Sequence, residues 1–291
     1  MRISDSISYR SLLDNLNMLN ERAEQANEEV SSGKRLNHLH IAPADSAEMV
    51  KLNDQLSQLD QYQTNADNSG FFLQVSESTL NSIYNLVTSI FTRGSAAANG
   101  PNDANTLATL AADIRSQRDQ IFSLANTQVR GRYIFAGSSV TTPAFSITGD
   151  TVTYLGNADV NTIDISNGLK VNQNIPGAAV LAPVFNTVET LLTAIGSGNQ
   201  TAIQSALAGF SGALATLGRV RTSLGVDLSK LQDAALARQT QETDIKTRQS
   251  HIGDANMAEA ISRLSQTQTA MQAALTAGSL IHQKNLFDFL G

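Results

Sequence analysis

Residues Tyr9 to Gly33, YRSLLDNLNMLNERAEQANEEVSSG, decide the fold. Tyr9, Leu12, Leu16, Leu19, Ala23, Ala26, Val30 and Gly33 follow one another in alternating steps of three and four. That spacing is the heptad of a helix that packs along a partner helix. A stripe this narrow leaves the helix marginal by itself, because isolated helices are unstable in water and a fully buried large apolar side chain contributes only about 1.5–3 kcal/mol. A partner is required. Near the other end of the chain, Ile261, Leu264, Met271, Leu275 and Phe289 fall on a matching register through Gln268, Gly278, His282 and Asn285, with Leu286 beside it. Two readings follow: two ordinary amphipathic core helices, or terminal helices that pair with each other, with copies of themselves, or with both.

Composition narrows the function classes. The chain has 291 residues, enough for two or three domains, with 41% apolar, 16% charged and 5% aromatic residues. Its surfaces are therefore dressed by Ser, Thr, Asn, Gln and Ala, which are cheap to desolvate and suit packing into an assembly. A net charge of −6, with no basic run longer than Lys34-Arg35, gives no electrostatic footprint for nucleic acid. With no cysteine there is no disulfide framework and no thiolate metal site. No apolar run approaches the roughly 20 residues of a membrane span. MRISDSISYR has no apolar core of about 7–15 residues, so secretion by a cleaved signal peptide is not expected.

The five prolines, Pro43, Pro101, Pro143, Pro176 and Pro183, punctuate the chain, and three of them mark 143–183 as its non-helical part. The first helix should stop at Ser31-Ser32-Gly33. A link past Pro43 leads to a second helix, capped by Asp45 or Ser46, with Leu52, Leu56, Leu59, Ala66, Leu73, Leu80, Tyr84, Val87 and Phe91 on one face. Its weak positions are Gln63, Gly70 and Glu77, and Ser69-Gly70 is a candidate break. After the turn cluster RGSAAANGPNDAN, Asn102 or Asp103 should cap a third helix carrying Leu107, Leu110, Ile114, Ile121 and Leu124, so that 45–127 forms an antiparallel hairpin. From Gly131 the pattern becomes short and alternating: Phe145–Ile147, Thr151–Leu155 and Thr162–Ile165 read as strands joined at Gly149-Asp150, Gly156-Asn157 and Asn167-Gly168. Helix returns at Val184–Ile195. It resumes after GSGNQ with Ile203, Leu207, Phe210, Leu214 and Leu217, and a very long helix follows from Arg219 with a joint at Gly253.

The fold expected is mainly α: a long nested helical bundle or coiled coil with paired N- and C-terminal helices and a small inserted β domain. Its domains are a terminal coiled-coil assembly core (1–42 with 254–291), a helical rod (43–135 with 184–253) and the β domain (136–183). Chemistry is sparse. His38 and His40 would need a carboxylate such as Asp45 to hold a metal, and read more simply as a solvated link. Gly196-Ser197-Gly198 lacks the rest of a phosphate loop or dinucleotide fingerprint, and Ser211 lacks a nucleophile elbow. No catalytic residue, cofactor or metal is expected.

The residues that carry a resemblance are MRIS, SSGKRLN at 31–37, LANTQVRGRYIFAGSSVTTPAF at 124–145, RTSLGVDLSKLQ at 221–232 and NLFDFL at 285–290. They resemble the flagellar hook-associated protein 3 family, relatives of flagellin, over essentially the whole chain. GRYIFAG followed by Thr-Pro-x-Phe is the most specific part. The chain departs at Ile41-Ala42 before Pro43, where two aspartates are usual. The resemblance implies a structural subunit of the bacterial flagellum, exported through the flagellar type III apparatus to an extracellular position. It also implies self-association in a ring between a hook-side junction protein and flagellin, and service by an export chaperone. The expected assembly interface is Leu12, Leu16, Leu19, Ala23, Ala26 and Val30 with Ile261, Leu264, Met271, Leu275, Leu286 and Phe289. The alternatives are a flagellin-like filament subunit and, from another class, an exported metal-binding or adhesive protein.

Overall fold

The structure is a computed structural model that describes residues 2–36, 42–100 and 103–290, with side chains over 10–36, 42–100 and 103–279. In chain order the elements are α1 (Arg2–Ser32), α2 (Pro43–Asn99), α3 (Ala104–Ala125), β1 (Gln128–Val129), β2 (Arg132–Tyr133), β3 (Phe145–Thr148), β4 (Thr151–Tyr154), β5 (Thr162–Ser166), β6 (Leu169–Asn172), α4 (Gly177–Val180), α5 (Ala182–Gly196), α6 (Gln200–Gly253) and α7 (Met257–Leu290). The chain divides into two compact units, Met1–Ser57 with Gln241–Gly291 and Gln58–Thr240.

In the unit Gln58–Thr240 the expected helical hairpin is present. Asp103 caps α3 by accepting the Thr106 N–H at 2.7 Å; Asn102 lies outside the described residues. Arg93 pairs with Asp113, and Gln117 Nε2 donates to Ser89 Oγ at 3.3 Å, so α2 and α3 run antiparallel. Their shared face buries Leu73, Leu80, Ile83, Val87 and Ile90 against Ile114 and Ile121. The same apolar cluster takes in Phe210 and Leu217 from α6.

Two local expectations are corrected. α2 does not break at Ser69-Gly70. A glycine costs a helix about 1 kcal/mol relative to alanine, and here neighbouring Leu73, fully buried, holds the turn in place. Toward its end the same helix buries Ile90 and leaves Phe91 38% exposed, with its ring 6.0 Å from that of Phe210.

The β insertion consists of three separate two-stranded antiparallel hairpins, β1–β2, β3–β4 and β5–β6. Each is too small to be stable alone. They are held from outside their own ladders. Asn126, at the C-cap of α3, exchanges two hydrogen bonds with the Phe145 backbone, at 3.0 and 2.9 Å. Phe145 then packs between Tyr154 and Phe185, with ring centroids 5.0 Å away in both cases. Arg118, buried on α3, reaches Asp150 in the β3–β4 turn at 2.8 Å. The turn at Gly137, φ +69°, is packed against Asn157, whose Oδ1 accepts the Ser138 N–H at 2.8 Å.

Candidate assembly interface

α1 and α7 pack along each other and run antiparallel. Glu29 of α1 pairs with Arg263 of α7, while Leu12, seventeen residues earlier, lies against Gly278, fifteen residues later. A Cβ placed on Gly278 would come within 2.9 Å of Leu12 Cδ2, so the helices approach closely there.

On α1 the expected seam is the one that turns inward. Leu12, Leu16, Leu19, Ala23 and Val30 are half-buried and Ala26 is buried, as 3.5-residue spacing requires. The Tyr9 side chain lies outside the described residues.

On α7 the inward row is Ala260, Leu264, Thr267, Met271, Ala274 and Gly278. Leu264 and Met271 therefore face α1. Ile261 and Leu275 do not: they are 52% and 56% exposed, with Gln268 between them also exposed. Side chains of Leu286 and Phe289 lie outside the described residues. Sequence reasoning missed Ala260, Thr267 and Ala274. The signal that finds them is size, because a helix lying close against leucines of its neighbour takes small residues opposite them.

At the far end of this pair the chain crosses itself. Lys34 and Asp254 form an antiparallel bridge, with the Ala255 N–H donating to Gly33 O at 2.9 Å and the Arg35 N–H to Gly253 O at 2.8 Å. Lys34 Nζ donates to Asp254 Oδ1 at 2.5 Å, and Arg35 donates to Asp45 and to the Ile252 carbonyl, both at 2.7 Å. The hydrogen bond from Lys34, then that from Ser250, holds the Asp254 carboxyl below the usual carboxylate range. Gly33, φ +68°, supplies the left-handed stop that lets the chain leave α1 for this bridge.

The surface left over is apolar in places. Met257, Ile261 and Leu275 on α7, and Leu13 and Met18 on α1, are each more than 40% exposed. Ile261, Gln268 and Leu275 recur every seven residues and form a second stripe beside the α1 seam. His38 and His40 lie outside the described residues, and among the described residues no cluster of three or more His, Cys, Asp or Glu is placed to hold a metal ion. No helix of the described residues is long and apolar enough to cross a membrane.

The bacterial flagellin N-terminal helical region matches residues 3–140, and the flagellin C-terminal helical region matches 207–290. The chain belongs to the flagellin superfamily. The two matched regions contain α1 and α7, the two helices of the seam, and they leave α5 and most of the β insertion between them. Over its full length the chain is similar to the flagellar hook-associated protein 3 of Escherichia coli K12, 26% identical and covering 99% of both chains. Similarity to the flagellin of Clostridium tyrobutyricum, 27% identical, covers only 44% of the chain. Its fold is shared with a putative flagellar hook-associated protein from Vibrio parahaemolyticus, at a TM-score of 0.66 and 20% identity over 72% of this chain and 98% of that one. This superfamily member is thus a structural component of the bacterial flagellum, located outside the cell.

Proposed function

We propose that the chain is the junction adaptor that joins the hook side of the flagellum to its flagellin filament, with copies of itself arranged in a ring. The observation that carries this reading is the division of labour on α7. One row, Leu264 and Met271, is used within the chain, and a second, Ile261 and Leu275, is left exposed although it is as apolar as the first. A second stripe of this kind suits contacts between subunits. The side-by-side similarity along the whole chain to a hook-associated protein, against partial similarity to flagellin, supports the junction over the filament.

In this reading the terminal segments, 1–42 with 254–291, form the assembly core. Ala23, Ala26 and Val30 complete the internal seam, and Leu286 and Phe289 extend the contact at the chain end. Export through the flagellar apparatus precedes assembly, and a chaperone covers the C-terminal helix until then. Deleting the gene and examining the cells by electron microscopy tests the role. Cells that secrete flagellin monomers but carry bare hooks support a junction; cells with hooks, junctions and merely shortened filaments refute it.

A further inference from the structure

An asparagine followed by a glycine is chemically labile in water, because the glycine nitrogen, with no Cβ beside it, closes readily on the asparagine side chain. The chain has two such pairs, Asn99-Gly100 and Asn167-Gly168. The fold holds them differently.

Asn167 and Gly168 form the turn between β5 and β6, and the ladder ends at the Ser166–Leu169 pair, so neither turn residue is part of it. Both are exposed, and the Asn167 side chain has no hydrogen-bond partner among the described residues. Nothing lies within 4 Å of the place a Cβ on Gly168 would take, so water and solvent base reach its N–H. The register shifts between Asp164 and Ser166, which loosens the anchorage of the turn.

Asn99 is the last residue of α2. Ala97 and Ala98 before it are buried, and the Gly100 carbonyl accepts from Gln200 Nε2 at 3.0 Å. Cyclisation there must first open a packed helix end, whereas at Asn167 it needs only local motion of an exposed turn.

We infer that Asn167-Gly168 is a site of spontaneous covalent modification, at which the asparagine carboxamide is converted by water to a carboxylate through a cyclic imide. Solvent base removes the Gly168 N–H proton, and the nitrogen attacks Asn167 Cγ. A C–N bond forms, the bond to the side-chain nitrogen breaks, and ammonia leaves with a proton. Water then opens the imide. Attack at the side-chain carbonyl gives aspartate, and attack at the main-chain carbonyl gives isoaspartate. The net change is amide plus water to carboxylate plus ammonium.

The product adds a negative charge to a hairpin that already carries Asp164, paired with Lys170 at 3.5 Å. Isoaspartate also lengthens the backbone by a methylene between Ser166 and Leu169, the pair that closes the ladder. The hairpin so loosened is the one that buries Ile165 and Val171. Ammonia is lost to solvent, so the change accumulates over the life of the subunit.

The test ages the purified full chain in mildly alkaline buffer, folded and in urea, and follows it by peptide mass spectrometry with isoaspartate detection. In the folded chain Asn167 should convert at least about tenfold faster than Asn99, and in urea the two rates should converge. The β5–β6 segment of the aged chain should exchange its amide hydrogens faster than that of equally aged Asn167→Gln. Three results overturn the inference: Asn167 intact in the folded chain while it converts in urea, Asn99 converting as fast as Asn167 in the folded chain, or conversion without any isoaspartate. Equal hydrogen exchange in the aged chain and aged Asn167→Gln overturns the loosening of the hairpin.

Discussion

Leu264→Asp and Leu275→Asp separate the contact within the chain from the proposed contact between its copies. Both residues are leucines on α7, but Leu264 is half-buried in the seam with α1 and Leu275 is 56% exposed. Full burial of a leucine is worth about 1.5–3 kcal/mol, so half-burial loses about 1 kcal/mol on removal. Placing a carboxylate against Ala26, Val30 and their neighbours adds the cost of poorly solvated charge, about 1–3 kcal/mol. Leu264→Asp should therefore destabilise the α1–α7 pair by about 2–4 kcal/mol, enough to melt a seam of two helices. Leu275→Asp loses little in the free chain, about 0.5 kcal/mol, chiefly from the lower helix propensity of Asp. Circular dichroism of the purified chains reads the first effect as lost helicity in Leu264→Asp and near wild-type helicity in Leu275→Asp. Motility and electron microscopy read the second: both variants should leave hooks without filaments, Leu264→Asp by loss of the pair and Leu275→Asp by loss of subunit contacts. Equal loss of helicity in the two free proteins would refute the register of α7. A Leu275→Asp strain with normal filaments would refute the role of the exposed stripe.

Further outcomes concern the other unit and the crossing. Gly137→Ala should destabilise by about 3 kcal/mol or more, because the new Cβ would fall 2.1 Å from Asn157 Oδ1 at a left-handed φ; Gly131→Ala, with open space around it, should lose only about 1 kcal/mol, and chemical denaturation of both measures the difference. Arg118→Ala removes a buried guanidinium from Asp119 and Asp150, at 2.9 and 2.8 Å, and should lower the stability of the same unit by about 2 kcal/mol in urea unfolding. Acid should loosen both the Arg118 contact and the Lys34 bridge. Asp150, chiefly through its hydrogen bond from Arg118, and Asp254, chiefly through that from Lys34, have lowered carboxyl pKa values. Their contribution is complete above the ordinary carboxylate value of about 4 and is lost as pH falls through the lower folded values. Thermal melts at descending pH check this, and Asp254→Asn should flatten its part of the dependence.

The α1 seam was legible because its period, its glycine stop and its length agree, and the structure follows all three. On α7 the same method placed Leu264 and Met271 on the inner face and also put Ile261 and Leu275 there. Two registers share positions 264, 271 and 278, and apolarity alone favours the one with larger side chains. What selects the other is the close approach of Leu12 to Gly278, a property of the partner helix that no single segment displays. Strands of two residues, such as β1 and β2, are too short to show alternation, so the Arg130-Gly131 hairpin stayed hidden inside a stretch read only as a change of pattern. Ser69-Gly70 misled for the opposite reason. Local propensity favoured a break there, and packing around Leu73 overrode it.

The Glu29–Arg263 and Lys34–Asp254 pairs join positions separated by 234 and 220 residues. Closing a flexible loop of that size costs about 5 kcal/mol, more than a few exposed ion pairs return. The closure becomes favourable once the intervening Gln58–Thr240 unit has folded and shortened the free chain. α1 thus gains its cover only when α7 is present, and removing α7 leaves the α1 seam open to water.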